Sequence, residues 1–199
     1  MKTKFQKIII VLLLINITQV CSQEYVYDIK IFGKKIGTVI TNRIQEDGKT
    51  IYKTSSFSSI RFFGKKEITT YIETVYKNNI LQSSFYEVKK NKKIREKAIL
   101  KYKKNKYHII TNGKEIYHDK PIFKSTVMLT HNKPKNKEVI FEEVKGFYKI
   151  VSKINENKFD LINPKSRYKD TYIYNKDGIL KKCIIRRNFF DIKMILRKG

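Results

Sequence analysis

Two histidines flank a turn and are followed by a carboxylate, a set of groups that could bind a metal ion. His108 and His118 lie on either side of Asn112-Gly113, and Asp119 follows. Imidazole and carboxylate groups are ligands for zinc, and a hairpin could bring its two strands together around such an ion. However, the spacing matches no compact zinc motif. We therefore predict exposed histidines beside a turn, with no metal site and no cofactor.

Acid–base and nucleophilic chemistry has few candidates. Glu142 and Glu143 are adjacent, so on a strand their side chains point to opposite faces and do not form a catalytic pair. Cys183 has no neighbour in sequence that would activate a thiol. The chain has no nucleophile elbow, no H-E-x-x-H, no glycine-rich phosphate loop and no C-x-x-C. We predict no catalytic residues and no enzyme, although a site assembled from distant strands remains the open alternative.

A basic stretch runs from Lys89 to Lys106, with ten Lys or Arg in eighteen residues and apolar residues alternating through it. On a hairpin, this pattern predicts a positive face that could contact an anionic membrane or an acidic polysaccharide of the cell envelope. The same lysines could instead serve to prevent edge-to-edge aggregation. The predicted basic surface consists of Lys89, Lys90, Lys92, Lys93, Arg95, Lys101, Lys103 and Lys104.

Aromatic residues supply much of the apolar set, with 13 Tyr, 12 Phe and no Trp. In a sheet that curls, aromatics on the concave face would form a pocket for a lipid or another apolar small molecule. They could equally fill the core completely. The predicted ligand-binding residues are Tyr25, Tyr27, Phe57, Phe62, Tyr71, Phe85, Phe141 and Tyr172.

The elements that position these residues are strands. From Gln23 onward, β-branched and aromatic residues recur with a period of two, and Asp47-Gly48 and Asn112-Gly113 are typical of tight turns. The pattern changes once, where apolar residues take helical spacing between Pro121 and Pro134. We predict an all-β fold for residues 23–199: a single domain formed by a curled antiparallel meander, a barrel or half-barrel, with one short helix near residues 121–131.

Several segments also carry a family resemblance. They are Tyr27-Asp28-Ile29-Lys30 with Gly33 and Ile36-Gly37, then 124–129 ending near Pro134, then Glu142-Glu143 with Gly146-Phe147, and finally Tyr172-Ile173-Tyr174 before Asp177-Gly178-Ile179-Leu180. In this order, the chain resembles a group of exported bacterial β-rich proteins known only as a domain of unknown function. The resemblance implies an exported half-barrel of the kind seen in lipid-handling proteins, and it implies no catalytic residues. Thr130-His131 departs from the aromatic residues expected after Leu129.

The N-terminus has the three parts of a secretory signal peptide. Lysines precede an apolar run from Ile8 to Ile15, and Val20 and Ser22 suit cleavage before Gln23. The run is too short to span a membrane, which needs roughly 20 apolar residues. Bacterial lipoproteins are cleaved after Gly, Ala or Ser, whereas Val20 precedes Cys21. We therefore predict a signal peptide over residues 1–22, export to the periplasm or beyond, no lipid anchor at Cys21 and no transmembrane span.

The charge balance is strongly basic, with a formal net charge of +26. Such a charge attracts nucleic acid or anionic surfaces. Lysine greatly outnumbers arginine, however, and arginine is the residue that phosphate recognition favours, so we do not expect a nucleic-acid partner. We predict an exported, non-enzymatic β-barrel-like protein that binds a lipid or other apolar ligand. The alternative is an envelope structural or interaction protein that binds anionic membrane or polysaccharide through its basic surface.

Overall fold

A computed structural model of the protein describes residues 21–61 and 64–197. These residues form fourteen strands and one short 3₁₀ helix, Thr126–Thr130. The strands are β1 (Cys21–Ile31), β2 (Lys34–Glu46), β3 (Lys49–Ile60), β4 (Lys66–Lys77), β5 (Ile80–Lys90), β6 (Lys93–Lys103), β7 (Lys106–Thr111), β8 (Lys114–His118), β9 (Val139–Glu142), β10 (Phe147–Asn155), β11 (Lys158–Ile162), β12 (Lys169–Tyr174), β13 (Leu180–Arg186) and β14 (Asp191–Leu196).

All fourteen strands belong to one antiparallel sheet. Its order is β8-β7-β6-β5-β4-β3-β2-β1-β14-β13-β12-β11-β10-β9, so two meanders, β1–β8 and β9–β14, are joined where β14 pairs with β1. The described strands leave β8 and β9 as the two edges, and the sheet is not closed. The predicted all-β meander is confirmed, and the fold is barrel-like rather than a closed barrel.

Six of the seven connections between strands β1 to β8 are two-residue turns, and the β3–β4 connection is longer. In the β7–β8 turn, Asn112 and Gly113 have φ of 48° and 81°. Positive φ at both positions defines the type I′ turn, whose twist matches that of the strands it joins. Two positive-φ residues also close the β1–β2, β2–β3, β4–β5, β5–β6 and β6–β7 connections. These short connections force each strand to pair with the next strand in sequence.

Curling of the sheet has local causes. Register shifts interrupt the β1–β2, β4–β5, β5–β6, β10–β11 and β12–β13 pairings, and such bulges bend a strand and increase its twist. Near the first shift, Gly37 approaches β3 so closely that a Cβ there would lie 2.1 Å from the carbonyl oxygen of Phe57. Only glycine permits this approach of two backbones.

The interior is occupied by the chain itself. Residues 119–138, which we call the crossing segment, connect β8 to β9 across the inner face of the sheet and contain the 3₁₀ helix. Two hydrophobic clusters pack on either part of this segment, one including Tyr27, Leu129 and Leu180 and the other including Tyr52, Leu100 and Ile122. The predicted short helix is therefore present as a single 3₁₀ turn, and it fills the core.

The predicted signal peptide lies mostly outside the described residues. Residues 1–20 are not described, while Cys21 and Ser22 begin β1 and pair with Gln45 and Ile44 of β2. Within the described part of the chain, no helix is long and apolar enough to span a membrane.

Candidate functional site

Four tyrosine hydroxyls from four strands hold the crossing segment in place. The Tyr27 hydroxyl donates to the Thr130 carbonyl at 3.3 Å, and the Tyr174 hydroxyl donates to the Leu129 carbonyl at 2.9 Å. The Tyr76 hydroxyl donates to the Ser125 hydroxyl at 2.7 Å. The Tyr107 hydroxyl accepts from the Ile122 N–H at 3.0 Å. Since β7 and β12 are far apart in the sheet, only a curled sheet brings both to one segment. These hydrogen bonds pair buried polar groups of the crossing segment, and leaving those groups unpaired would destabilise the fold.

A buried carboxylate caps the 3₁₀ helix. Glu143 is 2% exposed, and its oxygens accept from the N–H and hydroxyl of Thr126, at 3.2 and 2.5 Å, and from the N–H of Val127 at 3.2 Å. Burial raises the pKa of Glu143, and its hydrogen bonds to Ser125, Thr126 and backbone groups oppose that rise. Each oxygen of Glu143 therefore accepts hydrogen bonds from the start of the 3₁₀ helix. Its neighbour Glu142 pairs instead with Lys149.

His131 lies inside the curled sheet, 8% exposed. Its Nε2 is 3.0 Å from the Thr41 hydroxyl, and its ring is 5.1 Å from the ring of Tyr25 and 5.7 Å from that of Tyr52. Burial, together with the nearby charge of Arg43, lowers the pKa of His131 to about 4. The imidazole is therefore neutral at physiological pH. Sequence reasoning missed this residue, because no motif distinguishes His131 from the other two histidines.

An open cavity of about 880 Å³ lies at one mouth of the curled sheet. We call it the mouth cavity. Its walls come from β6, from the 3₁₀ helix, from β9, β10, β12 and β13, and from the loops that precede β12 and β14. Its charged lining residues are Glu96, Glu142, Lys145, Lys149, Asp170, Arg186 and Arg187. Its aromatic and aliphatic lining residues are Phe147, Tyr168, Tyr172, Ile185 and Phe189.

A half-buried ion network forms one wall of the mouth cavity. The Lys149 Nζ lies 2.6 Å from the Glu142 Oε2 and 3.5 Å from the Asp170 Oδ2. The three side chains are only 13–20% exposed. Burial raises the pKa of Asp170, and the charges of Lys149 and Arg187 oppose that rise. The wall thus has two carboxylates facing one ammonium, a polar arrangement held beside aromatic surface.

The predicted ligand-binding aromatics do not gather in one place. Tyr172 lines the mouth cavity, and Tyr25 packs on His131 inside the sheet. Tyr27 and Phe141 are at most 1% exposed and belong to the core. Phe57, Tyr71 and Phe85 lie on the outer face, where Phe57 is 50% and Tyr71 38% exposed, because strand alternation turns them away from buried Ser58, Thr74 and Ser84. Phe62 lies outside the described residues.

Residues 27–197 match the family described as domain of unknown function DUF6134. The chain belongs to this family. The fold of this DUF6134 chain is similar to that of a solved structure, a beta-barrel-like protein of domain of unknown function DUF1849 from Brucella abortus. The TM-score is 0.57 and the identity 10%, over 91% of this chain and 98% of that one. No curated protein is significantly similar. The expected membership of a β-rich family of unknown function is confirmed.

In this DUF6134 chain, the predicted basic residues spread over the β5–β6 hairpin. Lys92 lies in the β5–β6 turn and Lys104 in the β6–β7 turn, at opposite ends of an eleven-residue strand. Lys101 and Lys103 point to the outer face, because Ala98 and Leu100, which alternate with them along β6, are buried. Lys89 is paired with Glu87 at 2.7 Å. The remaining members, Lys90, Lys93 and Arg95, lie near the β5–β6 turn.

The two turn-flanking histidines lie on opposite faces of their hairpin. His118 pairs with buried Tyr107 and has its Nε2 2.8 Å from the hydroxyl of Tyr148, whereas His108 pairs with exposed Tyr117 and stacks on it at 4.9 Å. Opposite faces keep the two imidazoles from sharing one ion. Among the described residues, no group of three or more His, Cys, Asp or Glu is arranged to hold a metal.

The one buried thiol is not activated. Cys183 is 2% exposed in β13, and burial raises its pKa to about 12. The nearby Tyr172 hydroxyl and Lys149 lower that pKa only in part. Since the thiolate is the nucleophilic form of cysteine, Cys183 remains an inert thiol at neutral pH.

Proposed function

We propose that this protein is an exported, non-enzymatic binding protein, and that the mouth cavity receives a small amphipathic molecule such as a lipid with a charged head group. One observation carries the proposal: an open cavity of about 880 Å³ combines aromatic walls with the ion network of Lys149, Glu142 and Asp170. Its volume falls in the range of small-molecule sites, roughly 300–1,000 Å³.

The apolar part of the ligand would pack on exposed aromatic surface. Phe189 is 89% and Tyr168 60% exposed. A ligand that covers these side chains removes apolar surface from water, which favours binding. Tyr168 is held in position by a hydrogen bond from its hydroxyl to the Asn188 side chain at 2.8 Å. The head group would then reach Lys149 and its carboxylate partners, where both an ammonium and a phosphate find an opposite charge.

Native mass spectrometry of the purified protein, with solvent extraction beside it, tests the proposal. A bound molecule of lipid mass is expected, or uptake of added lysophosphatidylethanolamine. Phe189→Ser, which removes exposed aromatic surface only, and Lys149→Met should each weaken uptake by tenfold or more, while Lys176→Met on an exposed turn should not change it. A clean mass, with no uptake of the added lipid, would refute ligand binding at this site.

A second candidate is binding to an anionic envelope surface through the outer face of β6. Lys97, Lys101 and Lys103 alternate along this strand, and none of them has a carboxylate within 4 Å among the described residues. Phe85 lies beside them, with the Lys97 Nζ 5.7 Å from its ring centre. Cosedimentation with anionic vesicles that weakens steeply between 50 and 300 mM salt would favour this candidate; equal binding to neutral vesicles would contradict it.

A further inference from the structure

A second cavity, of about 480 Å³, lies at the opposite end of the curled sheet from the mouth cavity. We call it the Arg43 cavity. Arg43 and Thr50 flank the β2–β3 turn, and Asn79 belongs to the β4–β5 turn, whereas the mouth cavity includes Glu96 near the β5–β6 turn. The two cavities are therefore separate sites.

Arg43 is a cation without an anionic partner. It lies on the inner face of β2, opposite Tyr52, which is 2% exposed. Its Nε is buried and has no hydrogen-bond acceptor, and its Nη1 donates a long hydrogen bond of 3.4 Å to the Gln23 Oε1. Across the described residues, no carboxylate lies within 4 Å of this guanidinium. A buried N–H of a charged group normally has a partner, because leaving it unpaired is costly.

The rest of the lining adds donors and no acid. Besides Arg43, the charged lining residue is Lys124, and no Asp or Glu lines the cavity. Lys124 is partly neutralised by its ion pair with Glu138, so Arg43 supplies most of the positive field. The amide side chains of Asn79 and Asn132 and the hydroxyl of Tyr52 offer further hydrogen bonds, whereas the Tyr76 hydroxyl already donates to Ser125.

We propose that the Arg43 cavity binds an oxyanion, the phosphate or carboxylate group of a small molecule, with the Arg43 guanidinium as the principal ligand. A guanidinium binds such groups through two parallel N–H donors, and the unpaired Nε is one donor of that fork. Phe123 and Met128, which also line the cavity, provide an apolar wall for a substituent on the anion. This site does not depend on the ligand proposed for the mouth cavity.

Isothermal titration calorimetry at constant ionic strength tests the proposal with three probes: inorganic phosphate, hexyl phosphate and hexanol. Hexyl phosphate should bind more tightly than inorganic phosphate, and hexanol should not bind. Arg43→Gln should weaken hexyl phosphate binding by tenfold or more, and Arg43→Lys should weaken it less. Arg61→Gln, at an exposed site outside the cavity, should leave binding unchanged.

Two results would overturn the inference: no heat of binding with any phosphate probe, or unchanged affinity in both Arg43 variants. Near-UV circular dichroism establishes that each variant is folded, and Arg43→Lys, which keeps the charge, provides the comparison if Arg43→Gln does not fold. A monomeric short-chain phosphatidic acid tests the source of the anion. Binding tighter than that of hexyl phosphate assigns the site to a lipid head group, and weaker binding assigns it to a soluble phosphate ester.

Discussion

Acid should destabilise this protein in a pH range set by His131. The folded-state pKa of His131 is about 4, whereas an imidazole in an unfolded chain titrates near 6.5. Between these values, the folded state binds fewer protons than the unfolded state, so stability is complete above about pH 6.5 and falls as the pH falls through 4. The difference corresponds to at most about 3 kcal/mol. We expect about 1–2 kcal/mol of it to be lost by pH 5, because pH 5 lies between the two pKa values and the remainder is lost only as the pH falls to 4.

His131→Gln tests this expectation, because glutamine can keep a hydrogen bond to the Thr41 hydroxyl but does not titrate. His108→Gln, on the outer face, is the control for removing an imidazole, and the contact of His108 with Glu115 at 3.3 Å is exposed and screened by water. Urea unfolding followed by far-UV circular dichroism at pH 7, 6 and 5 measures the free energy of unfolding of each variant. Between pH 7 and 5, the wild type and His108→Gln should lose about 1–2 kcal/mol more than His131→Gln. An equal loss in all three would refute a buried neutral imidazole at position 131.

Three further outcomes are expected. Tyr107→Phe should lower the free energy of unfolding by about 1–3 kcal/mol, because the Ile122 N–H loses its acceptor. The control Tyr117→Phe, on the outer face, should change it by under about 0.5 kcal/mol. Equal effects of the two variants in urea unfolding would contradict the role of Tyr107 in holding the crossing segment. Gly37→Ala should lower Tm by more than about 10 °C, because the added Cβ would clash with the Phe57 carbonyl. An unchanged Tm in thermal unfolding would contradict the close approach of β2 and β3 at this position. The full chain, expressed in an exporting bacterium, should be recovered with Gln23 first by intact mass; a lipid-bearing Cys21 would contradict this.

Strand content and connectivity were predictable because short hairpin turns make them local properties. Asn112-Gly113 and Asp47-Gly48 marked their turns correctly, and both have positive φ at both residues. Which face of a strand points inward was harder to predict from the sequence. On β2, the isoleucines suggest an apolar face, yet Val39 and Thr41 are the buried residues and Ile40 is 37% exposed. A sheet whose interior receives polar groups from a crossing segment can bury threonine as readily as isoleucine.

The sites were not predictable, because they depend on contacts between residues distant in sequence. Lys149 meets Glu142 across the β9–β10 hairpin and Asp170 of β12 only after the second meander has formed. Arg43 is an ordinary basic residue in a chain with a net charge of +26, and only its unpaired, buried Nε distinguishes it. The aromatics, by contrast, are recognisable from the sequence, but the alternation that sends Phe57 and Tyr71 outward depends on register.

The crossing segment limits where the proposed ligands could bind. In barrels that carry a ligand inside, the interior is left open, whereas here residues 119–138 occupy it and the hydroxyls of Tyr27, Tyr76, Tyr107 and Tyr174 are bonded to that segment. Binding in the interior would require breaking several of these bonds, each worth about 1 kcal/mol net. The two cavities at the ends of the sheet require no such loss. The proposed ligands should therefore bind at the ends, and variants there should alter affinity with little effect on the stability of the core.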